Sequence, residues 1–192
     1  RCILNDGQAE AKWEPRTVSG VSRCYSGTIS PLSPDVHNGG GATTAFQMSS
    51  DYGSVLFAVG SRQLEALSDD IPTIWVTAPT LESLGVGFLI NGPFALDVGR
   101  AQLAREYDQN RDTATKLGVA IGSQLCDIHQ VSAELEGWQT LRSELRLTED
   151  ATTYGFWDSL FGLLGNTVAE HANHDRPADA LVREIFWNAP DR

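Results

Sequence analysis

Methionine is nearly absent from these 192 residues, Met48 being the only one, and the chain opens on Arg1 with no charged-then-apolar leader behind it. The other end stays apolar through Ala180, Leu181, Ile185, Phe186 and Trp187 up to Asn188-Ala189-Pro190. Together these ends lead us to expect an interior segment of a longer protein. Cysteine is scarce and odd in number (Cys2, Cys24, Cys126), too little for a disulfide framework. That usage fits a reducing, cytoplasmic setting, with a bond between Cys2 and Cys24 left open. Cations are also few. The 14 Lys and Arg against 25 Asp and Glu give a net charge of −11, and they are scattered. Phosphate backbones are held by clustered cations, so no nucleic acid partner is expected. The longest apolar runs, such as Leu84-Gly85-Val86-Gly87-Phe88-Leu89-Ile90, fall far short of the ~20 residues that cross a bilayer. No membrane partner is expected, and no internal repeat is present.

Several chemical signatures are missing as well. Gly39-Gly40-Gly41 runs into Ala42-Thr43-Thr44, which lacks the lysine of a phosphate-binding loop. Gly85-x-Gly87 has Ile90 where a dinucleotide fingerprint needs glycine, and it lies in a strand-like run. There is no Gly-x-Ser-x-Gly elbow. Two histidines three apart, His171 and His174, and the pair Cys126 and His129 are the only metal-like spacings. Zinc needs three or four converging ligands, so we assign no metal site; a metal-dependent hydrolase on His171 and His174 is the weakest of three functional readings.

What is present is a folding chain, 41% hydrophobic and 20% charged, with five Trp and seven Phe to anchor a core. It divides near Asn110 into a β-rich part, residues 1–110, and a helical part, residues 111–192, an α+β organisation. In the first part, residues 12–25 read as one or two strands anchored by Trp13, Val18 and Val21. Residues 27–41 read as a surface loop, 53–59 as a buried strand and 61–67 as a short helix. Residues 71–78 alternate like a strand with Pro72 at its start. Residues 79–82 read as a helical turn, because Pro79 and Glu82 suit a first turn, and 85–90 as another buried strand. In the second part Leu117, Ile121, Leu125 and Ile128 mark one face of a helix. Asp112 and Lys116 form an i,i+4 pair on it, and Gly118 and Gly122 make an adjacent stripe that permits close approach. Further helices are expected over 134–145 and 150–164, and from Pro177 after Asp175 or Arg176.

The passage richest in chemistry is 79–110, PTLESLGVGFLINGPFALDVGRAQLAREYDQN. A strand ends at Ile90, an apolar turn with Pro93, Phe94 and Leu96 follows, and then Asp97-Val98-Gly99-Arg100 reads as a loop entering a helix at Ala101-Gln102-Leu103-Ala104. Gly99 is the expected site of unusual dihedrals, and Arg100 is held between Phe94 and Leu96 on one side and Leu103 on the other. A long cation on such a loop suits a phosphate or carboxylate, which its guanidinium meets with a bidentate fork. Satisfying local carbonyls or pairing with Asp97 is the equal alternative.

At these residues the chain resembles the ninety-kilodalton heat-shock chaperones and their sacsin-type relatives, ATPases of the GHKL type. The likeness covers residues 55–125: Pro79-Thr80, the run Gly87-Phe88-Leu89-Ile90-Asn91-Gly92-Pro93-Phe94, Leu96, a small residue before Arg100, and Asn110 beyond. It implies a transducer of the ribosomal S5 domain 2 type. It also implies that ATP and Mg are bound by an upstream nucleotide-binding domain of the same protein, none of them by this chain. In that family the arginine of this loop contacts the γ-phosphate, a role that falls here on Arg100, with Gln102 as a further ligand-binding candidate. The sequence departs from the family at Ala101, where the chaperones have glutamate, and at Ala104, where they have a supporting glutamine. Echoes of the nucleotide-site motifs (Glu106 with Asn110, Asp97-x-Gly99, Gly162-x-x-Gly165) are incomplete and in the wrong order, and read as coincidence. The expectation is therefore a segment coupling ATP state to downstream helices and possible protein clients. The alternative is a non-catalytic interaction module.

Overall fold

The computed structural model describes residues 2–5, 10–13, 16–18, 21, 23–31, 43–68, 71–104, 108–171 and 176–190. Its first part contains strands β1 (Cys2–Asn5), β2 (Glu10–Trp13), β3 (Arg16–Thr17), β4 (Cys24–Pro31), β5 (Thr43–Ser50), β6 (Gly53–Val59), β7 (Leu64–Glu65), β8 (Ile74–Val76), β9 (Ala78–Pro79) and β10 (Leu89–Asn91). The second part is helical: α1 (Asp108–Ala133), α2 (Leu135–Glu144), α3 (Thr153–His171) and α4 (Pro177–Asn188). Among the described residues the strands form one mixed sheet in the order β1-β2-β4-β5-β6-β10-β8-β9, with β3 on β4 and β7 on β6. Every pairing is antiparallel except that of β10 with β8. The chain is thus α+β, strands first and helices after.

The centre of the sheet is β5 and β6, whose Phe46, Met48, Val55 and Phe57 are wholly buried. Helix α1 lies against these two strands. Leu117, Ile121 and Leu125 are fully buried and Ile128 nearly so, at the spacing of one helical face. An aromatic chain continues the core into the helices: Phe46 meets Phe156 edge-on at 6.4 Å, and Phe156 meets Trp157 at 5.5 Å. Such edge-to-face contacts suit the ring quadrupoles. The indole N–H of Trp157 donates to the Ser132 hydroxyl at 3.1 Å, so its burial leaves no orphan donor. The strand-rich and helical parts share this single core.

The α1–α4 contact rests on Gly118 and Gly122. A Cβ on Gly118 would stand 2.6 Å from the Leu181 carbonyl oxygen, and one on Gly122 would stand 2.6 Å from the Asn188 Cβ. Helix α4 starts at Pro177, and the Asp179 carboxylate reaches back to accept the Arg176 N–H at 3.2 Å. Helix α2 ends with Arg146 at φ 59°, where its N–H reaches the Ser143 carbonyl and the Leu147 N–H the Arg142 carbonyl. That is a Schellman closure with arginine in the position glycine usually takes.

Four expectations fail. Residues 61–67 do not form a helix; Leu64 and Glu65 pair back onto Val59 and Ala58, because so short a segment gains more from a sheet edge than from nucleating a helix. Residues 79–82 do not form a helical turn. The Thr80 hydroxyl donates to the Ile74 carbonyl and accepts the Glu82 N–H, taking over bonds a helix would need. The loop expected over 27–41 is strand as far as Pro31, since β4 is flanked by β2, β3 and β5; residues 32–42, with the triple glycine, lie outside the described residues. The strand expected over 85–90 is confined to β10, because Gly85 and Gly87 turn the chain at φ 64° and 73°. Strand β5 had no counterpart in the sequence reading. The side chain of Trp13 and the position of Asp175 also lie outside the described residues.

The register decides the cysteine question. Cys2 pairs with Trp13, Trp13 with Ile29, and Cys24 lies five residues from Ile29 along β4. That is about 17 Å of strand plus two strand spacings, against the roughly 7 Å Cα separation a disulfide allows. Cys24 is a buried free thiol.

Two stability predictions follow from these contacts. Gly118→Ala should lower stability by about 1–3 kcal/mol, since its Cβ meets main-chain oxygen, whereas Gly162→Ala, with nothing within 4 Å of its Cβ, should raise it by about 0.5–1 kcal/mol. Urea midpoints moving in opposite directions would bear this out. The second concerns Asp150, whose carboxyl lies below its ordinary 3.8 because the Thr148 hydroxyl donates to it and, less strongly, because Arg62 is 2.7 Å away. A depressed value favours folding above pH 3.8 and loses that contribution as pH falls through the folded value. Asp150→Asn should therefore lower Tm slightly at pH 7, with the gap to wild type closing as pH falls through the folded value.

Candidate functional site

Between β10 and α1 the chain makes a hairpin whose two arms meet at a bridge between Leu96 and Leu103. Two main-chain bonds flank that bridge, Asp97 N–H to the Gln102 carbonyl at 2.9 Å and Ala104 N–H to the Ala95 carbonyl at 3.0 Å. A regular antiparallel ladder would return a second main-chain bond at each of these pairs. Here side chains take those places. At the tip, Asp97 Oδ1 accepts the N–H of Gln102 at 3.3 Å and of Ala101 at 3.0 Å, while its own carbonyl accepts from Arg100. At the base, Asn110 Oδ1 accepts the Ala95 N–H at 2.6 Å, and its Nδ2 donates to the Ala95 carbonyl at 3.0 Å and the Ala104 carbonyl at 3.5 Å. Because Ala95 presents both a donor and an acceptor to it, only one orientation of the amide satisfies the site.

A second set of bonds ties the returning arm to the sheet edge. Leu81 N–H donates to the Ala101 carbonyl at 2.7 Å, and Leu103 N–H donates to Glu82 Oε1 at 3.0 Å. Glu82 is itself fixed, since its carbonyl accepts the Thr73 N–H and its N–H reaches the Thr80 hydroxyl. Phe94 is buried beneath the base, and Asp97, Val98, Gly99 and Arg100 stand exposed at the tip.

Arg100 therefore sits at the apex of a loop held from two directions. Among the described residues no carboxylate lies within ion-pair distance of its guanidinium. The alternative pairing with Asp97 does not form; Asp97 Oδ1 is turned instead to the main-chain N–H groups of Ala101 and Gln102. The dihedral expectation is corrected too. Gly99 is not left-handed; Arg100 itself is, at φ 55°. Nor does a helix begin at Ala101. Residues 101–104 form the returning arm, because their N–H groups bond to Asp97, Glu82 and Ala95 instead of to preceding helical carbonyls, and α1 begins at Asp108. The Gln102 side chain is exposed on that arm near Arg100 in sequence, while its main chain is bonded to Asp97 on both sides. The clamps Glu82 and Asn110 escaped the sequence reading. In the sequence Glu82 reads as a first-turn acid, and Asn110 marks the division between the two parts and a place in a family pattern.

The metal-like spacings lead elsewhere. Cys126 Sγ is 3.0 Å from the Asn188 carbonyl, and His129 packs edge-on against Trp157. The His171 side chain and His174 lie outside the described residues, as does Glu106. Among the described residues no three His, Cys, Asp or Glu side chains gather as metal ligands would. Cys24 is held protonated, its thiol pushed up to about 12 by burial and then by Asp127, with Gln124 Oε1 accepting from it at 3.4 Å. A thiol in that state is a poor nucleophile.

Comparison with protein-family models, with curated proteins and with solved structures finds no match to this chain. No helix among the described residues is long and apolar enough to cross a membrane.

Left-handed backbone costs a non-glycine residue about 1–2 kcal/mol. Arg100→Gly should accordingly raise stability by about 1 kcal/mol in urea unfolding, and Gly99→Ala, whose Cβ would find only the Asp97 carboxylate at 3.6 Å, should leave it within about 0.5 kcal/mol.

Proposed function

We propose that this chain is the transducer segment of a GHKL-type ATPase of the heat-shock-chaperone or sacsin-like kind, working in the cytoplasm. In this reading ATP and Mg are bound by an upstream domain of the same protein, and the chain supplies Arg100 to the γ-phosphate and passes the nucleotide state to the helices beyond Asn110. The observation that carries it is the guanidinium of Arg100, without a carboxylate partner among the described residues, at the apex of a hairpin locked by Asp97, Glu82 and Asn110. A loop whose main chain is already fixed before the anion arrives spends less entropy on positioning its cation, which stabilises charge that develops as the phosphoryl group transfers. Gln102, exposed on the same loop, is the second residue placed to meet the nucleotide. A different nucleotide state would shift the segment only to the extent that Arg100 binds one state better than the other.

A second reading is a non-catalytic interaction module with a protein partner. It is favoured by Trp187 at the end of α4, which is 81% exposed, since large aromatics of this kind anchor protein interfaces.

ATP turnover by the full-length protein, wild type beside Arg100→Ala with nucleotide affinity measured in parallel, separates the two. The transducer reading expects kcat to fall on the order of 10²–10³-fold while ATP affinity stays within about threefold. Equal losses in both would remove the transition-state role. A full-length protein that neither binds nor hydrolyses ATP would leave the interaction module standing.

A further inference from the structure

We propose that Asn110 is the positioning residue of the Arg100 loop, a side-chain clamp that makes the hairpin and the first turn of α1 a single moving body; its functional part rests on the reading of Arg100 given above. The Asn110 side chain is 4% exposed and none of its bonds goes to its own helix. Its amide stands between the Ala95 N–H and the Ala104 carbonyl, where a regular ladder would place a direct bond, and so the hairpin cannot close at its base without α1. Truncating it would leave the Ala95 N–H and the Ala104 carbonyl without that partner in a partly buried site.

The other anchors differ in what they hold. Leu81 and Glu82 tie the returning arm to the β8–β9 edge of the sheet, whereas Asn110 ties both arms to a helix. At Gly118 and Gly122 that helix packs directly on the Leu181 main chain and on the Cβ atoms of Glu184 and Asn188 of α4. A displacement of Arg100 thus has a direct path through Asn110 into α1 and onward to α4.

Amide hydrogen exchange of the 192-residue chain, wild type beside Asn110→Ala, tests the clamp together with turnover of the full-length protein. Exchange at Ala95 and Ala104 should accelerate at least roughly tenfold beyond any change at Leu117 and Ile121. Turnover should fall with ATP affinity kept, and Asn110→Ala should add little in an Arg100→Ala background. Acceleration that is uniform over loop and core would overturn the proposal, as would unchanged turnover in Asn110→Ala where Arg100→Ala lowers it. If Arg100→Ala itself leaves turnover unchanged, the reading of Arg100 fails and the exchange result alone decides the clamp. Should Asn110→Ala not fold, Asn110→Asp replaces it; this keeps the acceptor for the Ala95 N–H and loses the donor to the Ala95 and Ala104 carbonyls, so the acceleration is expected at Ala104 and the turnover criteria are unchanged.

Discussion

Helix α1 has to satisfy two neighbours at once, and the rest of the molecule is arranged around that requirement. Leu117, Ile121, Leu125 and Ile128 commit one side of it to β5 and β6, and Gly118 and Gly122 commit the next stripe to α4. A bulky residue on the glycine stripe would lift α4 away, and with it Leu181 and Ile185, both fully buried. The close approach therefore stabilises the core twice, by letting main chains touch and by bringing α4's apolar face to the sheet-bound helix.

The Arg100 loop obeys a different economy. It buries one large side chain, Phe94, and holds its shape by hydrogen bonds from Asp97, Glu82 and Asn110 to main-chain groups. Side-chain acceptors of this kind fix a hairpin too short to be stable by main-chain pairing alone. Among the described residues they leave the cation at the tip without a carboxylate partner, the condition under which an arginine is available to an anion from outside.

The helical half was legible because its information is periodic. A spacing of three and four residues marks the buried face of α1 without reference to anything else, and Pro177 marks the start of α4 at the residue where it begins. The division near Asn110 followed from the same signal, two residues from the true start of α1. Strands β5 and β7 and the turn at Thr80 were not legible, because each depends on partners chosen by the fold: β7 on the end of β6 that β10 leaves unpaired, Thr80 on the Ile74 carbonyl. At the candidate site, Arg100 could be singled out by its neighbours in the chain. Its left-handed backbone could not, since glycine stands beside it and is the residue chemistry favours there. The clamps Glu82 and Asn110 act over 21 and 15 residues, distances at which no local pattern speaks.

The length of α1 gives the glycine contacts a mechanical meaning. Its 26 residues span about 39 Å at 1.5 Å per residue. The hairpin grips one end at Asn110, and α4 bears on the shaft at Gly118 and Gly122, which straddle its midpoint. This is the layout of a lever with two arms of similar length. A tilt of about 5° about that bearing would carry Ala133 and the start of α2 through about 1.7 Å, taking the roughly 13 residues beyond the midpoint as the output arm. A shift of about 1 Å at the hairpin would emerge at α2 and Trp138 as a movement of similar size, enough to repack an interface.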